Sequence, residues 1–126
     1  MRHVLIALIG STMLLCVAGA HHSVSNFDRS IVSEISGVVA RFQFMNPHSL
    51  IEMDVADGTA GQTRRYRVFA TSRVVLQRYG WRPDSVHVGD SISITGHPDE
   101  EQPTFIYLTG IEFADGTQWA RSEILE

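Results

Sequence analysis

Apolar and polar residues alternate with a period of two over several short stretches, each closed by turn residues, which predicts half-buried strands. Val38, Ala40, Phe42 and Phe44 share one phase and are expected inward, with Val39, Arg41 and Gln43 on the other face. Ahead of Gly37 the phase is opposite, with Ile31 and Ile35 at odd positions. One long strand with a bulge or bend at the glycine accounts for the switch. Asn46-Pro47-His48 ends that strand, because proline has no N–H to donate. Ile51, Met53 and Val55 alternate with Glu52 and Asp54 in a second strand, and Tyr66 and Val68 with Arg65 and Arg67 in a third. The turn residues of 57–61 lie between them.

The period then changes. Val74, Val75, Leu76 and Tyr79 supply the apolar side of a helix over Ser72–Tyr79, with Thr71 or Ser72 to cap its start. Gly80 suits the left-handed residue beyond its end, and Trp81 would fold back on Leu76. Arg78 in the last turn complements the helix dipole, and Pro83 forbids a restart. A fourth strand runs from Ser91 to Gly96 with Ile92 and Ile94 inward. His97 to Pro103 reads as an acidic loop, Phe105 to Phe113 as a fifth strand, and a short tail strand surrounds Trp119. Three strands, a helix and two strands, the first long and bent, is the element order of an OB-fold, a five-stranded Greek-key barrel. The expectation is therefore an all-β chain with one helix and a short extra C-terminal strand. Such barrels bind ligands on strands 2–3 and on the loops joining strands 1–2 and 4–5.

The first residues belong to a different class. Arg2 and His3 precede an apolar run of 14 residues, Val4 to Val17, and Ala18-Gly19-Ala20 forms a small-residue cleavage site. The run is short of the roughly 20 residues that a spanning helix needs. A cleaved signal peptide over residues 1–20, an N-terminal arm over 21–30 and a barrel domain over 31–126 follow. This implies export to the periplasm or beyond, with no stable membrane anchor after cleavage. Leu15 before Cys16 does not suit a lipoprotein signal, and Cys16, the only cysteine, leaves with residues 1–20. No disulfide then supports the mature domain, so apolar burial must hold it together. The formal net charge of −4 becomes one unit more negative without Arg2, which argues against nucleic acid as a partner.

Several short motifs carry a family flavour in their order and spacing. They are His21-His22-Ser23 with Asn26-Phe27-Asp28, Gly37-Val38-Val39, Asn46-Pro47-His48, Gly80-Trp81 with Asp84-Ser85, Val88-Gly89-Asp90, Thr95-Gly96-His97-Pro98 and Asp115-Gly116. In that sequence they resemble DUF6152, a family of small exported bacterial proteins of unknown function. The resemblance implies an exported β domain with one helix and no particular activity. One departure is Phe69-Ala70, where the family pattern carries an acidic residue after the third strand.

Cleavage after Ala20 would leave His21 first, followed by His22. A free α-amine beside an imidazole is a chelate for a divalent ion, Cu(II) above all. His48, on the strand 1–2 loop, is the expected third nitrogen, so His21, His22 and His48 form the candidate metal set. Asn46 lies on the same rim, and His97, Asp99 and Glu101 on the rim of the strand 4–5 loop. Arg65 and Arg67 face outward on the third strand opposite Glu52 and Asp54, which suits cross-strand ion pairs or an anionic ligand. No nucleophile with a defensible His/Asp arrangement, phosphate loop or H-E-x-x-H is present, so a binding or accessory module is expected rather than an enzyme. The alternative is a metal-free structural or protein-interaction domain that uses the strand 2–3 face.

Overall fold

The computed structural model describes residues 26–58 and 60–120. Its elements are β1 (Ser33–Gln43), β2 (Leu50–Ala56), β3 (Thr63–Phe69), α1 (Arg73–Arg78), β4 (Ser91–Pro98), β5 (Phe105–Phe113) and β6 (Gln118–Ala120). The sheet runs β3-β2-β1-β4-β5-β6, and a parallel pairing of β3 with β5 closes the first five strands into a barrel. This is the OB-like architecture expected from the element order, with β6 as the extra strand. Among the described residues, no helix is long and apolar enough to cross a membrane.

The core lies inside the barrel. Ile51, Met53, Val68, Leu76, Ile92 and Ile94 are buried there, as the alternation requires. Phe42 and Phe44 pack against them from the rim. Val38 does not. It is 45% exposed, whereas Val39 is 1% exposed and belongs to the core. Val39 pairs with Met53 and Arg41 with Glu52, so Ala40 is an extra residue in β1. The bulge reverses the phase at Ala40, three residues later than the glycine suggests. Ile35 and Val39 point inward before it, Phe42 and Phe44 after it. Gly37 answers a different need: a Cβ there would press on the Asp54 carbonyl of β2 and the end of Met53. A second extra residue, Thr109, shifts the β4–β5 register and moves the inward positions of β5 from Ile106 and Leu108 to Ile111.

The helix forms as its sequence signals dictate. The Ser72 hydroxyl accepts the Val75 N–H at 3.2 Å. At the other end the Trp81 N–H reaches the Leu76 carbonyl and the Gly80 N–H the Gln77 carbonyl, both at 3.1 Å, with Gly80 at φ 87°. That is a Schellman stop. It folds Trp81 into the core, where its ring packs on Trp119 of β6 at 4.3 Å.

Candidate functional site

The loop between β1 and β2 is fastened to the connection between β3 and α1. The Arg73 N–H donates to the Met45 carbonyl at 3.0 Å, and the Val74 N–H to Asn46 Oδ1 at 3.3 Å. Asn46, expected on the ligand rim, thus serves the free N–H groups at the start of α1. Ser49 is fully buried: its N–H donates to the Thr71 carbonyl, its own carbonyl accepts from Ala70, and its hydroxyl bonds the backbone of Met45. Between these anchors, Asn46-Pro47 is a cis peptide.

His48 stands apart from this bonding. Its Nδ1 is buried without a hydrogen-bond partner. Its ring lies on Phe69, centroids 4.2 Å apart. Phe69 points outward on β3 in phase with Arg65 and Arg67, since Tyr66 and Val68 face the core. Phe105 and Tyr107 take the same outward phase on β5. The parallel β3–β5 seam sets these rings side by side, with Phe69 aligned to Tyr107 and Arg67 to Phe105. The Arg67 guanidinium sits 4.8 Å from the Phe105 ring centre and donates to Gln102 Oε1 at 3.0 Å.

Phe27 covers this outer aromatic group. It is 6% exposed, and its ring lies 5.9 Å from Phe69, 5.3 Å from Phe105 and 5.4 Å from Tyr107. Residues 26–30, expected in an arm, are therefore docked on the barrel wall. Phe27 bridges to Asp99, the Asp28 N–H donates to the Pro98 carbonyl at 2.9 Å, and the Glu100 N–H to the Asn26 carbonyl at 3.0 Å. His97 adds a further tie. It is buried at the end of β4, not in the loop, because β4 continues to Pro98. Its Nδ1–H donates to the Ile31 carbonyl at 2.8 Å; a carbonyl only accepts, so the proton is on Nδ1. The Asp28 carboxyl is held below the usual carboxylate range, first by the Ser30 hydroxyl and Ser30 N–H, and also by the nearby His97.

The other expected rim residues are engaged locally. Asp99 is buried, and its Oδ1 accepts the N–H groups of Glu101 and Gln102 at 2.9 and 2.8 Å, which shapes the β4–β5 loop. The Glu101 side chain faces solvent. Arg65 reaches Asp54 from Nε at 2.6 Å and Glu52 from Nη1 at 3.3 Å, the cross-strand pairing that the register of β2 and β3 prescribes. The Arg65 hydrogen bond holds the Asp54 carboxyl below its ordinary value. His21 and His22 lie outside the described residues. Among the described residues no three His, Cys, Asp or Glu side chains form a metal-holding group.

The family model of DUF6152, a family of unknown function, matches residues 11–105. The chain belongs to that family. No curated protein matches this DUF6152 chain. Among solved structures it is similar to a mitochondrial single-stranded DNA-binding protein from S. cerevisiae, with a TM-score of 0.52 at 12% identity. That match covers 70% of this chain and 94% of the other. At such identity the likeness concerns the barrel alone. The outer aromatic cluster is the part of the DUF6152 barrel that sequence reading missed. Its signal was present as Phe69, Phe105 and Tyr107 on outward phases, where polar residues are the rule.

Proposed function

We propose that this DUF6152 protein is exported, loses residues 1–20, and serves in the periplasm as a binding or accessory module rather than an enzyme. Its ligand is Cu(II) or a similar divalent ion. The α-amine and imidazole of His21 would hold the ion, with His48 as third nitrogen and His22 as a neighbouring donor. A bound Cu(II) would supply a tetragonal centre that takes amine and imidazole nitrogens well.

One observation carries this reading: the His48 Nδ1 is buried with no hydrogen-bond partner. His97 is committed to the Ile31 carbonyl, and His87 is exposed near Asp90, 3.7 Å away. His48 makes no such hydrogen bond at Nδ1, so ligation there would break none that the described residues form. Distance is also favourable. Residues 21–26 span up to about 17 Å when extended. The His48 ring and the docked Phe27 ring share Phe69 as a neighbour.

Calorimetric titration with Cu(II) tests the reading on three proteins: the chain beginning at His21, the same chain with one residue added before it, and His48→Ala. The first should bind tightest, the extended form far more weakly, and His48→Ala in between. Affinity should fall between pH 7 and pH 5, as protons compete for the nitrogens. Equal binding by the extended form would overturn the N-terminal site and leave a protein-interaction role for the outer β2–β3 face.

A further inference from the structure

We infer that the solvent face of α1, with the turn that follows it, is a docking surface for an acidic polypeptide segment that carries aliphatic side chains among its carboxylates. The surface shares no residue with the proposed metal set, so the two readings stand or fall separately.

Residues 71–83 contain Arg73, Arg78 and Arg82 and no acid, in a chain whose net charge is −4. All three arginines are exposed, and among the described residues no side-chain hydrogen bond or ion pair engages them. The arginines of β3 differ: Arg64 is paired with Asp57, Arg65 with Asp54 and Glu52, and Arg67 is bonded to Gln102. At 3.6 residues per turn, Arg73, Gln77, Val74 and Arg78 share an arc of about 140° on α1. All four are exposed, and Leu76 is buried on the other side. Helix stability accounts for Arg78 in the last turn. It does not account for Arg73 in the first, where the dipole opposes a cation, or for Arg82 beyond the end. Between the charges the surface is apolar. Val74 is 46% exposed, and Met45, whose carbonyl accepts the Arg73 N–H, is 43% exposed. A cleft of about 610 Å³ adjoins the helix, lined by Gln77, Gly80, Trp81, Arg82, Pro83 and Asp84.

Charge complementarity selects the occupant. The planar fork of arginine takes a carboxylate on two N–H groups at once. An anionic bilayer or a nucleic acid presents its charge over a wide surface and would also meet the acidic remainder of the chain. A single extended segment meets the arginines alone, because charges beyond a Debye length of about 8 Å are screened at physiological salt. The cleft and the exposed Val74 and Met45 give aliphatic side chains of that segment a place to bury, which a phosphate backbone does not need.

Fluorescence anisotropy of a labelled octapeptide alternating Glu and Leu tests this on the chain beginning at His21. Anisotropy should rise and saturate at low salt, and binding should weaken as salt is added. Arg73→Gln, Arg78→Gln and Arg82→Gln together should weaken it about tenfold. Arg29→Gln, Arg41→Gln and Arg64→Gln together change the net charge equally and should stay within about twofold of the parent. Val74→Ser should weaken the Glu/Leu peptide but not a Glu/Ser analogue. Arg82→Glu alone, outside the helix, keeps the test open should the first triple variant fail to fold, and it too should weaken binding. No rise in anisotropy, or an equal loss in both triple variants, would overturn the inference. So would binding of phosphatidylglycerol vesicles without binding of the peptide, or self-association through this face in sedimentation with the peptide left unbound.

Discussion

The His48 ring lies over the Phe69 ring, centroids 4.2 Å apart and planes inclined by 36°. Phe69 is also the floor on which Phe27 rests, so one side chain joins the β1–β2 loop to the N-terminal strap. Phe69→Ala should release both. The His48 ring-proton resonances, displaced by the ring current of Phe69, should move toward free-histidine positions. Unfolding free energy should drop by about 2–3 kcal/mol, less than for a fully buried phenylalanine. Two-dimensional NMR and urea unfolding measure the two effects.

The bulge at Ala40 makes two neighbouring valines unequal. Val39→Ala removes two methyl groups from the core and should destabilise by about 2 kcal/mol. Val38→Ala trims an exposed side chain and should stay within about 0.5 kcal/mol of the parent. Urea midpoints compare them, and equal losses would place the phase reversal elsewhere.

Arg65 lowers the pKa of Asp54, so the ionised form is the one favoured by folding. The contribution is present above the ordinary value of 3.8 and disappears as pH falls through the depressed one. In Arg65→Ala the Asp54 carboxyl should titrate closer to 3.8, as followed by carboxyl carbon shifts. Because the pair is exposed, stability at neutral pH should change little, and the parent and variant should converge in strong acid.

The outer β2–β3 face of this chain is not a basic groove. Glu52 and Asp54 neutralise Arg65 on the outer β2–β3 face, Phe27 covers the aromatic rings beside it, and the chain carries a net charge of −4. Binding to single-stranded DNA relies on a basic groove with open stacking rings. A fluorescent oligonucleotide should therefore show no anisotropy change at low salt. A salt-sensitive rise would mean that the strap moves aside and the face binds phosphate.

What was legible in the sequence was local. Leu76, Gly80 and Trp81 specify a helix stop by themselves, and Arg65 with Asp54 specify a pair once two strands are adjacent. The phase switch in β1 was legible as an event, but not its position. A bulge is set by pairing with β2, and both Gly37 and Ala40 are small enough to host it. Asn46 and His97 read as rim residues because their partners, the Val74 N–H and the Ile31 carbonyl, are distant in sequence. Phe27 read as part of an arm because a lone aromatic among polar residues has no period. Only the closed β3–β5 seam creates the surface that receives it.

The most direct measurement of the central claim is pulsed electron paramagnetic resonance on the Cu(II)-loaded chain beginning at His21, which counts coordinated imidazoles through their remote nitrogens. The spectrum should contain the His21 imidazole and a second one, and the second should vanish in His48→Ala while the first remains. A spectrum that is identical in the parent and in His48→Ala would contradict the account.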